Sequence, residues 1–253
     1  RLANSKFISI KQVDKLEDST ISVCTLWTTA YDLLKYNKTQ RKCYFLQDWE
    51  PDFYPKGTVS AMSETTYDFG FIALAGTEAL GARYKQYNKD NSSVYLPSLL
   101  DLSYYIGNTK SVIQSPDIKS AERVKRVMFY GRPDAPRNGF ELGIAALAKL
   151  KATLGDKVEI VIAGAHTYSK SYGLEEKGLL VAGKVPYNEL TEFYASFDAC
   201  LFLMFSQHPG VVPLEMMASG VPVIVNSNKS TDWQDLYKHN HNCIISKNSS
   251  TEI

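Results

Sequence analysis

The chain has 253 residues, of which 44% are hydrophobic and 22% charged, and its formal net charge at pH 7 is +1. These values are typical of a globular protein with one or two domains. A net charge so near zero gives no reason to expect nucleic acid or an acidic membrane surface as a partner. No apolar run approaches the roughly 18 residues needed to span a membrane, and the N-terminus does not have the pattern of a signal peptide.

The four cysteines, Cys24, Cys43, Cys200 and Cys243, have no metal-ligand spacing, and three of them lie in apolar runs. At this length and cysteine density a disulfide framework is not expected. We therefore predict buried, reduced thiols and a cytoplasmic location, because reducing compartments keep thiols free.

The first hundred residues alternate between apolar runs and helical patterns. Strands are predicted at residues 21–25, 43–46, 71–75 and 94–97, and helices at residues 30–36, 60–67 and 77–87. Alternation at this spacing is typical of βα units, so the sheet is predicted to be parallel. The chain opens abruptly, and we expect this N-terminal domain, residues 1–105, to be incomplete.

The loop that follows the second predicted strand is rich in acidic and aromatic side chains. Asp48, Glu50 and Asp52 lie in it, and two prolines favour an ordered loop over a helix. Open α/β sheets bind ligands at the carboxyl ends of their strands, which favours a cleft wall; an acidic surface loop is the alternative. No histidine lies nearby and there is no Asp-x-Asp pair, so no metal site is predicted.

This loop also carries a family resemblance. Residues 44–55 read Tyr-Phe-Leu-Gln-Asp-Trp-Glu-Pro-Asp-Phe-Tyr-Pro, and residues 66–71 read Thr-Tyr-Asp-Phe-Gly-Phe. The long and unusual pattern is similar to that of bacterial rhamnosyltransferases that build surface and cell-wall glycans. The resemblance indicates the subfamily and does not by itself fix the sugar.

A second domain, residues 124–253, is predicted after a linker at residues 106–123 that has no sustained apolar period. Its strands are predicted at residues 127–130, 158–163, 179–183, 199–205, 221–225 and 243–245, and its helices at residues 139–151 and 187–197, with a short helix at residues 233–237. This alternation predicts a second parallel sheet.

The first strand of the second domain runs into a loop that contains Gly131, Arg132, Arg137 and Asn138. Guanidinium groups pair bidentately with phosphate oxygens, and this loop is predicted to lie at the mouth of a parallel sheet beside a helix N-terminus. Asn138 is predicted to cap that helix. Two solvated arginines are the alternative interpretation of the loop.

Residues 206–224 are predicted to form a tight loop, a short helix and the start of a strand. Pro213 suits the first helical turn, since the N–H that it lacks has no helical partner there, and Gly220 suits a left-handed cap at the end. The N–H groups near Val211 and Val212, with the positive end of the helix dipole, form a predicted anion site.

The same segment resembles the donor-binding loop of retaining, sugar-nucleotide-dependent glycosyltransferases of the GT-B fold, in which seven residues separate two glutamates. The residues that match are Glu215, Ala218, Gly220, Pro222 and Val223. Gln207 stands at the first acidic position, where it can bond a sugar hydroxyl but cannot stabilise developing positive charge. Complementing the helix dipole is the alternative role for Glu215.

The resemblance implies an α/β protein with two Rossmann-like domains that face a cleft, and a dTDP- or UDP-linked sugar as the donor. Together, the resemblance and the position of His208, Val211 and Val212 in the predicted anion loop indicate the donor-binding residues Gly131, Arg132, Arg137, Asn138, Lys184, Val185, Gln207, His208, Val211, Val212 and Glu215. Lys184 and Val185 are expected to lie against the base, and Glu215 to hold the ribose. Asp48 and Glu50 are the catalytic candidates, to orient the sugar or to accept the acceptor proton.

We therefore predict a retaining, metal-independent glycosyltransferase without a cofactor, which moves rhamnose or a related hexose to a glycan or lipid-linked glycan. Peripheral association with the inner face of the membrane is compatible with this interpretation. Two alternatives keep the fold. One is a non-catalytic nucleotide-binding or glycan-assembly subunit, which Gln207 favours, and the other is a sugar-nucleotide epimerase, which the aromatic loop disfavours.

Overall fold

A computed structural model of the chain describes residues 16–88, 93–95, 103, 105, 106, 123–229 and 231–253. The chain divides into a first unit, Arg1–Ser98, and a second unit, Leu99–Ile253. The predicted linker at residues 106–123 lies almost wholly outside the described residues, as do the last two residues of the fourth predicted strand.

The first unit is built on a parallel sheet whose spatial strand order, β1-β2-β3-β4, is also the chain order. Its elements are β1 (Ser19–Cys24), α1 (Trp27–Lys35), β2 (Thr39–Leu46), α2 (Thr58–Thr65), β3 (Ile72–Ala75), α3 (Glu78–Tyr84) and β4 (Ser93–Tyr95). Each strand is joined to the next by a crossover, as parallel pairing requires.

Aromatic side chains fill the core of the first unit. The ring of Tyr67 lies 4.4 Å from that of Trp49, 5.5 Å from that of Tyr44 and 5.8 Å from that of Tyr84, centroid to centroid. All four side chains are buried, and tilted or edge-on contacts of this kind stabilise aromatic clusters. Because Trp49 immediately precedes the short 3-10 turn Glu50–Phe53, the cluster fixes the acidic loop at the end of β2.

The second unit is built on a six-stranded parallel sheet of order β10-β9-β8-β5-β6-β7. Its elements are β5 (Lys125–Tyr130), α4 (Phe140–Leu154), β6 (Val158–Ala163), β7 (Leu180–Gly183), α5 (Leu190–Ala195), β8 (Ala199–Phe202), α6 (Val212–Ala218), β9 (Val223–Asn226), α7 (Thr231–Leu236) and β10 (Ile244–Ser246). The central position of β5, between β8 and β6, brings the ends of three strands together.

Helices cover both faces of this sheet. Phe129 of β5 packs against Phe140 of α4 on one face, whereas Met128 packs with Tyr194 of α5 and Met216 of α6 on the other. Successive residues of a strand point to opposite faces, so strand β5 is buried on both. This arrangement explains why the strands of the second unit are continuous apolar runs.

The structure confirms the predicted α/β class, the parallel sheets and the four free, buried cysteines. Two local predictions are wrong. Asn138 does not cap α4, because Gly139 in the left-handed region is the N-cap residue. Strand β8 ends at Phe202 rather than at residue 205, because the backbone of Met204 bonds the side chain of Asn226 instead of a neighbouring strand. Within the described residues, no helix combines the length and the apolar character needed to cross a membrane.

Candidate functional site

The two predicted donor loops of the second unit meet at the carboxyl end of the sheet. The N–H of Phe205, in the loop after β8, donates to the carbonyl of Arg137, in the loop after β5, at 2.7 Å. Strands β5 and β8 are adjacent in the sheet, so their carboxyl ends lie side by side. The fold therefore joins the arginine loop, residues 131–139, to the helix loop, residues 203–212.

The arginine loop begins at a tightly packed glycine. The N–H of Gly131 donates to the carbonyl of Ala163 at 2.9 Å, and its carbonyl accepts from the hydroxyl of Tyr168 at 2.8 Å. A Cβ on Gly131 would lie 2.9 Å from the side chains of Ile162 and Phe129. Gly131 thus fixes the start of the loop by packing against β5 and β6 and by bonding Tyr168. The next residue, Arg132, is half-buried, and its guanidinium makes no hydrogen bond to other described residues.

Asn138 lies on the inner side of the arginine loop. It is 1% exposed, its Nδ2 donates weakly to the Sδ of Met204 at 3.8 Å, and its Oδ1 has no partner in the described structure. A buried amide oxygen without a donor costs free energy. Asn138 is therefore held between the two loops with unused hydrogen-bonding capacity.

Side-chain amides hold the helix loop in place. Asn226, at the end of β9, accepts from the N–H of Met204 at 2.8 Å and donates to its carbonyl at 3.0 Å. Asn228 donates to the carbonyl of Ser206 at 3.0 Å. Further along, His208 Nδ1 accepts from the N–H of Gly210 at 2.9 Å. One imidazole nitrogen of His208, which is predicted to contact the sugar nucleotide, therefore stabilises the turn.

The start of α6 leaves backbone donors available. The N–H groups of Val211 and Val212 donate to no other described residue, and Pro213 follows in the first turn. Such N–H groups carry the partial positive charge of a helix N-terminus. Gln207 is half-buried in the same loop. The backbone thus leaves N–H donors that no described residue pairs, in the loop for which the sequence predicts an anion site.

Glu215 is enclosed by two tyrosines. It is 7% exposed; its Oε1 accepts from the hydroxyl of Tyr105 at 2.6 Å and its Oε2 from the hydroxyl of Tyr194 at 3.1 Å. Each carboxylate oxygen retains a further lone pair. The predicted bond from Glu215 to a ribose remains a prediction, and the structure shows in addition that the carboxylate ties α6 to α5.

Lys184 and Val185 line a cavity of about 500 Å³ beside α5. Pro186 and Glu192 also line it, as does Phe193, the neighbour of the Tyr194 that contacts Glu215. The volume falls in the range of small-molecule sites. The two residues expected to lie against a base therefore border a space that admits one.

The catalytic candidates Asp48 and Glu50 lie in the first unit and are both buried. Glu50 is 3% exposed, and its Oε2 accepts from the N–H of Trp27 at 2.5 Å and from the hydroxyl of Tyr44 at 3.2 Å. Burial raises the pKa of Glu50 to about 7, although these two hydrogen bonds oppose the rise. The Oδ1 of Asp48 accepts from the N–H of Trp49 at 2.7 Å. Nowhere in the described ranges do three His, Cys, Asp or Glu side chains group around a possible metal ion.

Sequence reasoning missed the supporting side chains Tyr105, Tyr168, Tyr194 and Asn226. Asn226 had a readable signal, because it is the polar residue that ends a buried apolar strand. The tyrosines had none, since their hydroxyl partners are distant in sequence: Tyr105 lies 110 residues from Glu215, and Tyr168 lies 37 from Gly131.

Comparison with known proteins adds a family and a fold. The family model described as WsaF, C-terminal domain, matches residues 125–253. The O-antigen biosynthesis protein RfbC of Myxococcus xanthus is 36% identical over 228 residues, which are 90% of this chain and 17% of RfbC. The chain thus spans less than a fifth of that relative.

Two solved structures superpose on nearly the whole chain. Sucrose-phosphate synthase from Thermosynechococcus elongatus aligns with 92% of this chain and 62% of its own, with a TM-score of 0.68 and 14% identity. HepE from Anabaena in complex with UDP-glucose aligns with 96% of this chain and 68% of its own, with a TM-score of 0.67 and 15% identity. At such low identity these likenesses show a shared fold, and the expected GT-B class of parallel α/β sheets is confirmed.

Proposed function

The chain belongs to the family of WsaF C-terminal domains, and from this premise we propose that it is part of a GT-B glycosyltransferase that uses a nucleoside-diphosphate sugar. The name of its Myxococcus relative, an O-antigen biosynthesis protein, supports glycan assembly as the process. The UDP-glucose complex of HepE supports a donor of this chemical class.

The observation that carries the proposal is the junction of the arginine loop and the helix loop. The hydrogen bond from the N–H of Phe205 to the carbonyl of Arg137 joins the two loops at the carboxyl end of one sheet. One loop supplies the guanidinium groups of Arg132 and Arg137, and the other supplies N–H groups with no partner in the described structure. Doubly wound sheets bind ligands at this edge.

A site of this kind stabilises a departing diphosphate. When the bond between the sugar and the β-phosphate breaks, negative charge accumulates on the phosphate oxygens. Arg132, Arg137 and the N–H groups of Val211 and Val212 would bond those oxygens more strongly as the charge forms, which lowers the barrier. Because these groups supply positive charge themselves, we propose transfer that does not depend on a metal ion.

The finer proposals follow from the sequence. The donor is dTDP- or UDP-linked, with its base beside Lys184 and Val185, and the transferred sugar is rhamnose or a related hexose. The acceptor is a glycan or lipid-linked glycan at the inner face of the membrane, reached from the cytoplasm, which the free cysteines support. Configuration is retained. Asp48 and Glu50 are the proposed catalytic groups, and a pKa near 7 suits Glu50 to proton transfer.

Calorimetric titration of the whole chain with dTDP, UDP and GDP, in the presence of EDTA, tests the diphosphate site. We expect one base to be preferred, and about a hundredfold loss of affinity when Arg132→Ala and Arg137→Ala are combined, because two charge-assisted pairs are lost. The matched control combines Lys35→Ala with Arg41→Ala, which removes the same charge from exposed positions of the first unit. Equal binding by both double variants, or no binding by the wild type, contradicts the site.

A non-catalytic nucleotide-binding subunit is the second candidate, and Gln207 is the observation that favours it. Incubation with the preferred sugar nucleotide distinguishes the two functions, since a transferase releases the nucleoside diphosphate when acceptor or water takes the sugar. We expect Gln207→Glu to raise this release. Tight donor binding without release in either protein supports the non-catalytic candidate.

A further inference from the structure

The edge strand β7 separates two cavities of similar size. Ala182 lines the cavity of about 500 Å³ that also contains Lys184 and Val185, whereas Val181 lines another of about 520 Å³. Leu174 and Tyr168, which also line the second cavity, pack with the core on the α4 face of the sheet, whereas Phe193, which lines the first cavity, packs with the core on the α5 and α6 face. The second space, which we call the opposite-face cavity, therefore lies across the sheet edge from the proposed base site.

Polar side chains with no partner among the described residues surround the opposite-face cavity. They are His166, Thr167, Lys170, Glu175 and Glu176. Together they offer hydrogen-bond donors and acceptors, while Tyr168, Leu174 and Val181 supply apolar surface. A few polar groups that converge on an apolar wall are the usual composition of a small-molecule site.

The charges in this cavity select against anions. Glu175 and Glu176 carry two negative charges, and Lys170 is the one residue of fixed positive charge among the lining residues. A phosphate or a sugar acid would meet net repulsion there. A neutral molecule with many hydroxyl groups would satisfy both the carboxylate acceptors and the ammonium donor.

We propose that the opposite-face cavity binds a neutral sugar residue of a glycan. Its volume of about 520 Å³ lies in the range of small-molecule sites. The inference goes beyond the proposed transfer reaction, because the site needs no donor and performs no chemistry. It supplies a second contact through which a chain of sugars is retained on the protein.

One side chain connects this cavity to the arginine loop. The hydroxyl of Tyr168 accepts from the N–H of Ala165 at 3.1 Å and donates to the carbonyl of Gly131 at 2.8 Å. Its ring packs against Phe140, with centroids 5.9 Å apart. Tyr168, in the wall of the opposite-face cavity, is therefore hydrogen-bonded to the backbone that immediately precedes Arg132.

Heteronuclear NMR of the whole chain locates the site directly. The probes are methyl α-rhamnoside and methyl α-glucoside, which are neutral, and glucuronate, which is anionic. We expect both neutral glycosides to shift the amide signals of residues 166–176 and 180–181, and glucuronate to shift them much less. The proposal is overturned if neither neutral probe shifts these signals, if the shifts lie at residues 184–193, or if glucuronate binds as well.

Paired variants test the carboxylates. Combining Glu175→Gln with Glu176→Gln is expected to weaken the binding of the neutral glycosides about fivefold, because charged acceptors make the stronger hydrogen bonds. The matched control combines Glu189→Gln with Glu192→Gln in the cavity across β7. Loss of glycoside affinity in the control alone, or in neither, contradicts the proposal. UDP affinity, measured on the same samples, reports separately on the proposed diphosphate site.

Discussion

Both units end a central strand in a polar loop, but the two loops use their polar groups differently. After β2, the carboxyl group of Glu50 turns inward and bonds the backbone of Trp27 and the hydroxyl of Tyr44. After β5, Arg132 makes no hydrogen bond to other described residues. Polar side chains at comparable strand ends therefore differ in how much of their hydrogen-bonding capacity the fold already uses.

The largest expected effect tests the inward-turned carboxyl group. Because the folded pKa of Glu50 is raised to about 7, its stabilising contribution is full below the unfolded pKa and is lost as pH rises through 7. Glu50→Gln mimics the protonated form and should not lose this contribution. Between pH 4.5 and 8, the unfolding free energy of the wild type should therefore fall by about 3 kcal/mol relative to that of Glu50→Gln.

Urea denaturation followed by the fluorescence of the tryptophans in the first unit, Trp27 and Trp49, measures this change. Asp32→Asn, at an exposed position of α1, is the control and should parallel the wild type at every pH. If the stability of Glu50→Gln has the same pH dependence as that of the wild type, burial does not raise the pKa of Glu50. The proposed difference between the two loops would then be wrong.

The next prediction concerns the ring beneath the arginine loop. A Cβ at Gly143 would lie 2.2 Å from Phe129, whose ring also contacts Gly131. Gly143→Ala should therefore destabilise the second unit by about 2 kcal/mol through overpacking. In the double variant with Phe129→Leu, the cost of the alanine should largely disappear. Additive effects in thermal unfolding would show that the ring does not set the spacing of α4 and the loop.

Glu215 provides a carboxylate in the second unit that resembles Glu50 in its burial. Tyr194→Phe removes one of its two donors and should lower the unfolding free energy by about 1.5 kcal/mol, the usual worth of a hydrogen bond to a charged group. Tyr105→Phe, which removes the other donor, is the matched variant. If neither changes chemical denaturation, the carboxylate is satisfied in another way and is less like Glu50 than the structure indicates.

The smallest expected effect comes from the rim of the acidic loop. The Arg83 guanidinium lies 3.8 Å from the ring centroid of Trp49 and 3.6 Å from Asp52. Both contacts are partly exposed, so Arg83→Lys should cost only about 0.5 kcal/mol. A loss comparable with that of Glu50→Gln in the urea titration would mean that the rim, rather than the buried carboxyl group, holds the loop.

The sequence predicted the elements that periodicity encodes and missed those that depend on distant contacts. The apolar run at residues 158–163 became β6 without change of boundary. Pro213 lies in the first turn of α6, and Gly220 adopts the left-handed conformation just after its C-cap, as local backbone chemistry requires. Asn138 failed as a cap because the preceding turn is a 3-10 helix that ends at a left-handed Gly139. Gly139 packs closely against Leu203 and Phe205, which are distant in sequence, so the local sequence pattern could not predict this turn.

The sequence likewise indicated which loops form the candidate site, but not how its side chains are buried. Arg132, Arg137 and the helix loop were proposed as donor-binding elements from residue type, strand position and the family resemblance, and that role stays a prediction. Burial was not predictable, because the enclosure of Glu50 and Glu215 depends on tyrosines from other elements. The junction of Arg137 with Phe205 also required the strand order, since β5 and β8 are far apart in the chain and adjacent in the sheet.

The two strand orders also imply different routes of assembly. In the first unit each strand pairs with the one before it, so Cys24 meets Tyr44 after a short stretch of chain. In the second unit β5 can pair with β8 only after the intervening chain has been made, because Val127 pairs with Ala199. Closing longer loops slows folding. During synthesis the first sheet can therefore grow strand by strand, whereas the loops that meet at Arg137 come together only after β8 has been made.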